Sequence, residues 1–219
     1  MRNTKGNKKL IAVVIFALLL VFLVAAGTIA WLTSTSSISN TFSVGSIEKP
    51  TTSPLDPLQT ISISGNIYEP SWNAEEAHKL VPSVVFDKDP YVGIGKGSED
   101  VAVYVYVENS FSNKVYFTIN AGWEAVTATE GASSGTYTSG LFKYTAGLSG
   151  ATSADVWTEQ PLFSNVTVDE SATKEDFVVA DGQESEIKVS CFIHQAKDGN
   201  GNEIQASTIE ATVKDAFNI

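Results

Sequence analysis

The sequence predicts a mainly β fold: a single antiparallel β-sandwich of jelly-roll kind, behind an N-terminal signal helix. Three features carry that prediction. Apolar and polar residues alternate at 61–64, at 187–191 with Ile193 continuing the apolar side, and at 209–214. A period of two sets one side of a strand against a core and the other toward water. Turn-forming Gly, Pro, Asn and Asp separate these short runs, which is the spacing of a sandwich rather than of alternating strands and helices. Helical periodicity is confined to 71–80, where Asn73 as N-cap and Glu76 at the third helical position precede a stop at Pro82.

The chain opens with a basic head, Arg2, Lys5, Lys8 and Lys9, followed by an uncharged apolar run over 10–26 that continues to Leu32. Those 23 residues would make a helix of roughly 34 Å, enough to span a bilayer. A permanent anchor is therefore one reading, since a secretory apolar region is usually shorter. Thr28 and Ala30 supply small residues at −3 and −1 for a cut before Trp31, and no further base occurs before Lys49. Cleavage there gives a signal peptide over 1–30. Either way the basic head stays inside and the rest is exported. A pilin-type leader is set aside, because no acid follows Gly6 at the required fifth position.

Residues 31–48 form an N-terminal strand segment, 49–58 a stiff link, and 59–219 the sandwich. Pro50, Pro54 and Pro57 keep the link out of a sheet. In "VAVYVYV" (101–107) both faces are apolar, so this strand is expected inside the fold, covered on both sides or with its Tyr face against another surface. Further strands are expected at 84–86, 114–119, 166–168 and 177–180. The Ala/Thr/Ser/Gly-rich stretches 127–140 and 145–155 are expected as exposed loops.

Beyond residue 30 there are ten bases against twenty-five acids, a net charge of −15. Such a body repels nucleic acid and anionic lipid, and neither is expected as a partner. The membrane enters only through the uncleaved precursor. Cys191 is the only cysteine, so internal disulfides and cysteine-rich metal sites are excluded.

No catalytic residue is assigned. "GASSG" (131–135) matches the Gly-x-Ser-x-Gly pattern, but no helix follows to make the elbow that would hold Ser133 beside an oxyanion hole. His78 and His194 lie too far apart for a helical zinc pair. His78 and Glu75 read as solvated, His194 as lying on the face opposite Cys191, and Cys191 as core. "GIGKG" (93–97) lacks the phosphate-loop spacing and reads as a loop entering the 101–107 strand. In "DGNGNE" the oxygens of Asp198, Asn200, Asn202 and Glu203 are of the type calcium prefers. A turn explains the same residues, so this is a weak calcium candidate, and no cofactor is expected.

The basic head, apolar run and "TIAWLTSTSSISNTFSVGSIE" together resemble the TasA/camelysin-like family of exported proteins with a SipW-type signal peptide. Ala30-Trp31, Thr33 and the 40–45 block carry the likeness. "KLVPSVVFDKDPYVGIGKGSEDVAVYVYVEN" (79–109) and "IKVSCFIHQA" (187–196) are similar to later segments of that family. The likeness implies cutting by a SipW-type peptidase and a secreted structural subunit of a Gram-positive biofilm matrix or surface fibre. It further implies that the freed strand, with Trp31, Thr33, Ile38, Phe42 and Val44, inserts into the next copy, making the chain its own partner. Pairing of 31–44 within its own domain is the plain alternative for the monomer. The alternative function is a monomeric or membrane-anchored surface binding module whose Tyr-rich strand and loops touch glycans or a protein.

Overall fold

The computed structural model describes residues 34–36, 47–72, 81–177 and 186–219. Contacts separate Met1–Leu32 from Thr33–Ile219, and every described residue belongs to the second unit. That unit is mainly β. Its strands are β1 (Ser34–Ser36), β2 (Ile67–Tyr68), β3 (Val85–Asp87), β4 (Tyr91–Ile94), β5 (Val101–Asn109) and β6 (Val115–Tyr116). They continue with β7 (Trp123–Glu130), β8 (Tyr137–Leu148), β9 (Val156–Trp157), β10 (Asn165–Val168) and β11 (Ile187–Gln195), and one α-helix, α1 (Ala206–Phe217), follows. Three antiparallel sheets result, ordered β1-β11-β5-β8-β7, β3-β10-β6 and β2-β4-β9.

The doubly apolar strand behaves as its sequence requires. β5 is central in the five-stranded sheet. Its Val103, Val105 and Val107 face a large core with Cys191, Ile193, Phe142, Phe117, Phe163, Val166 and Val168. Its Tyr104, on the other face, packs with Leu141, Phe192, Ile209 and Val213. Val103, Tyr104, Val105 and Val107 are all fully buried, and each apolar side chain so placed is worth about 1.5–3 kcal/mol. Cys191 is core, as expected.

The element on the Tyr104 face corrects one expectation. Residues 209–214, read as a strand, are helical in α1. Ile209, Ala211 and Val213 fit a period of two, but Ile209, Val213 and Phe217 also recur every four residues, which places them on one helix face. That face covers Tyr104, Tyr106, Leu141 and Phe192, with Phe217 against the Tyr106 ring at 5.0 Å. Asn218 closes the helix in the left-handed conformation (φ 56°) and donates its N–H to the Asp215 carbonyl.

The two expected loops are also corrected. Most of 127–140 and part of 145–155 belong to β7 and β8, the second of which is the longest strand described. The small and polar residues of β7 fit an outer strand whose sides are largely exposed, and Thr is a good strand former there. β8 lies instead inside the sheet, between β5 and β7, and buries Leu141, Phe142, Tyr144 and Leu148. Loop remains only at 131–136 and 149–155. Between Val101 and Val103 the β5–β8 register shifts, so that Val101 faces Leu148 and Val103 faces Tyr144. Gly147 (φ 65°) sits in that bulge, where a Cβ would meet the Val101 carbonyl at 2.7 Å.

Of the other expected strands, 84–86, 114–119 and 166–168 correspond to β3, β6 and β10, while Phe177 ends a 3-10 turn, Lys174–Phe177. Residues 61–64 form no strand: Ile61 donates to the Thr51 carbonyl at 2.8 Å and Thr60 bridges Thr52. Residues 93–94 lie in β4 rather than in a loop. The expected helix, with Asn73, Glu75, Glu76 and His78, lies outside the described residues, as do 178–180. Among the described residues no helix is long and apolar enough to cross a membrane.

Candidate assembly edge

The five-stranded sheet ends in two unlike edges. β7 is the long one, and it is blunted by Glu124 and Glu130 and by two register irregularities against β8. Charges and bulges of this kind discourage another strand from adding. β1 forms the other edge. Ser34, Thr35 and Ser36 pair antiparallel with Ile193, Phe192 and Cys191, so β1 covers three of the nine residues of β11.

β11 is a firm template for that short strand. Its inner side chains, Cys191 and Ile193, are buried in the main core, and Phe192 is buried beneath α1. Its other edge is paired with β5 from Ile187 to Gln195. Lys188 and Glu108 meet across that pair at 2.9 Å. His194 shares the face of Phe192, 6.3 Å away between nearly parallel rings, and its Nδ1 lies 2.7 Å from the Gln195 carbonyl.

The described chain resumes at Ile47, which is buried, and at Glu48, which bridges Gly95. Gly95 donates to the Glu48 carbonyl at 2.6 Å, and the Glu48 N–H donates to the Ser98 hydroxyl at 2.8 Å. Only glycine allows that approach at 95, since a Cβ would collide with the Lys49 carbonyl. β1 is thus joined to a firmly held point by residues 37–46, which are outside the described residues.

The proline-containing link is a small hairpin. It closes through the Thr52–Thr60 bridge and through Ser53 donating to the Gln59 carbonyl at 2.9 Å. Asp155 fixes its base: Oδ2 accepts from the Thr51 and Thr52 N–H groups at 2.6 and 2.8 Å, and Oδ1 from the Lys96 N–H at 3.1 Å. Burial acts to raise the Asp155 pKa, but the bonds from Thr51, Thr52 and Lys96 together hold it below the ordinary value. The Trp157 indole N–H adds a bond to the Thr52 carbonyl at 3.1 Å.

The residues singled out for the leader and the donated strand, Thr28, Ala30, Trp31, Thr33, Ile38, Phe42 and Val44, lie outside the described residues. The calcium candidates are described. Asp198 Oδ1 accepts the N–H groups of Asn200 and Asn202, both at 2.8 Å, and its Oδ2 accepts from the Asn202 side chain at 3.1 Å. The carboxylate is therefore committed to closing the turn between β11 and α1. Among the described residues no three His, Cys, Asp or Glu side chains cluster as metal ligands. Ser133 sits in the β7–β8 hairpin, where Thr136 Oγ1 donates to its carbonyl at 2.6 Å. Two antiparallel strands flank it, in place of the strand and helix that a nucleophile elbow requires.

Two features gave no sequence signal. The Asp155 anchor joins residues about a hundred positions apart. Lys88 is buried against Glu69 at 2.9 Å with its Nζ 4.4 Å from the Trp72 ring centroid, and the sequence marks it only as one base among several. No family model, curated protein or solved structure matches this chain.

Proposed function

We propose that the chain is a secreted structural subunit of an extracellular matrix or surface fibre, and that it assembles by donating its N-terminal strand. On this reading the body is a jelly-roll-like β-sandwich of the TasA/camelysin-like kind. A SipW-type peptidase cuts before Trp31, and the partner is another copy of the same chain. The observation that carries the reading is the short β1 pairing on the outer edge of β11.

Three paired residues offer only a few backbone hydrogen bonds, each worth about 0.5–1.5 kcal/mol net. The same bonds re-form in the same register when the β1 of a neighbour takes the place of the chain's own. Exchange is therefore close to neutral in backbone terms, and the side chains of 31–44 supply the preference. A donated strand and the β11 edge that receives it are different surfaces, so the contact is heterologous and repeats without closing. The acidic body opposes close approach, so screening favours the fibre.

Two measurements test the proposal. N-terminal sequencing of secreted material should read Trp-Leu-Thr, and negative-stain microscopy of the same sample should show filaments. A chain beginning at Ile47 should give only single particles. An intact leader on particles that never associate would instead favour the surface-anchored binding module.

A further inference from the structure

We propose a ligand site between α1 and the central sheet, where the Tyr104 hydroxyl donates to the oxygen of a small neutral ring compound about the size of phenol. The site is independent of strand donation, and its loss would leave the fibre reading untouched.

The α1 side of the sheet is incompletely filled. Ile209 and Val213 are buried there with Tyr104, Leu141 and Phe192, while Ala102 and Ile204 pack only partly against them. Ala102 brings a single methyl group to a face otherwise covered by large side chains. Beside it, near the start of α1, lies a cavity of about 180 Å³. Buried Tyr104 and Ile209 line it, with half-buried Ala102, Lys143 and Ile204 and the exposed Ala146 and Glu203.

Tyr104 brings a polar group to this largely apolar space. The residue is fully buried, and its hydroxyl has no hydrogen-bond partner among the described residues. Burial, and then the Glu210 and Glu124 carboxylates, raise its pKa. The hydroxyl therefore stays protonated and can donate. Nearly all buried polar groups find a partner, and a cavity beside this one gives room for a partner from outside the chain.

Size and charge select the occupant. An apolar cavity of about 150 Å³ is enough to take up benzene, whereas one water needs only about 10–15 Å³. A water on the hydroxyl would leave most of the space unfilled. Lys143 stands beside Tyr104 in the strand register and beside Glu124 on its other side, with its Nζ 3.6 Å from the Glu124 carboxylate. That carboxylate offsets its charge. Glu203, and Glu210 acting on Tyr104, then disfavour an anion. The apolar walls and Lys143 disfavour stripping water from a cation. A neutral ring remains, lying against Ala102, Ile204 and Ile209 with its oxygen on Tyr104.

Equilibrium dialysis of the secreted chain against phenol and toluene tests the site, because the two probes differ in the group that would meet Tyr104. Seven non-hydrogen atoms are enough for a phenol dissociation constant of about 1 mM. Tyr104→Phe should weaken phenol about three- to tenfold, the worth of one net hydrogen bond, and leave toluene unchanged. Ala102→Leu, which fills the cavity from the sheet, should abolish both. No saturable phenol binding up to about 10 mM, or equal phenol affinity in the Tyr104→Phe chain, would overturn the proposal. So would undiminished binding in a folded Ala102→Leu chain. If that variant does not fold, the Tyr104→Phe comparison decides alone. Benzoate binding more tightly than phenol would overturn the assignment of a neutral ligand.

Discussion

Asp155 holds Thr52 twice: its Oδ2 accepts the Thr52 N–H at 2.8 Å and the Thr52 hydroxyl at 2.9 Å. One carboxylate thereby fixes the base of the hairpin that follows the N-terminal strand segment. Asp155→Ala is expected to cost about 1–3 kcal/mol in urea unfolding, because several donors lose a charged acceptor together. Limited proteolysis should then cut within 51–61, and the wild-type chain should resist there. An unaltered cleavage map would contradict this role.

The sign of the acid response follows from three carboxylates. Asp100 is held below the ordinary value by Lys197 and by the Gly150 N–H, Asp198 by the Asn202 N–H and side chain, and Asp155 by the bonds already described. A folded pKa below the unfolded one means that the ionised form stabilises the fold. That contribution is complete above the unfolded value of about 3.9 and is lost as pH falls through the lower folded values. The fold should hold from pH 7 to about 4.5 and weaken below about 4. Over the upper window the net negative charge shrinks, so light scattering from assembling protein should rise as pH drops toward 4.5, or as salt is added. A flat trace would contradict the charge argument.

Tyr104 is fully buried and its hydroxyl has no hydrogen-bond partner. Burial first, then Glu210 and Glu124, push its pKa up to about 12. A buried hydroxyl without a partner costs stability, so Tyr104→Phe should leave the midpoint of denaturation unchanged or raise stability by about 1 kcal/mol. A loss of more than that would show that the hydroxyl is bonded in solution.

Ile209 is 3% exposed and packs α1 onto Tyr104, Leu141 and Phe192. Ile209→Ala should cost about 2–5 kcal/mol, the range for truncating a buried isoleucine. The far-ultraviolet helical signal should melt with the rest of the fold, since α1 covers one face of the central sheet. Separate loss of the helix at lower denaturant would contradict that coupling.

The strands whose patterns are strict were legible in the sequence. Val101 to Val107 could only be an interior strand, and Ile187 to Ile193 alternates cleanly enough to fix which side Cys191 occupies. α1 was misread because Ile209 and Val213 satisfy two periods, and only Phe217, one further turn along, separates them. β7 was hidden by composition, for an outer strand facing water needs few apolar residues and reads like a loop. In β8 the small and polar residues on either side of the buried Leu141 to Tyr144 hid the strand's length. The Pro-rich link was legible as stiff, but its anchor on Asp155 was not, because nothing local marks a partner so distant in sequence. The edge itself was half legible: the β-prone segment after the apolar run was plain, while its seat on β11 came only from the register.

Ser36 stands opposite Cys191 in that register. Facing residues of antiparallel strands lie within disulfide reach, so Ser36→Cys records which chain supplies β1. Secreted Ser36→Cys protein, allowed to assemble, oxidised and run on a non-reducing gel, is the most direct measurement. Strand donation predicts a ladder of covalent multimers, each joined from residue 36 of one copy to Cys191 of the next. A single monomer band carrying an internal 36–191 bridge, from a sample that contains filaments, would show that the strand stays at home.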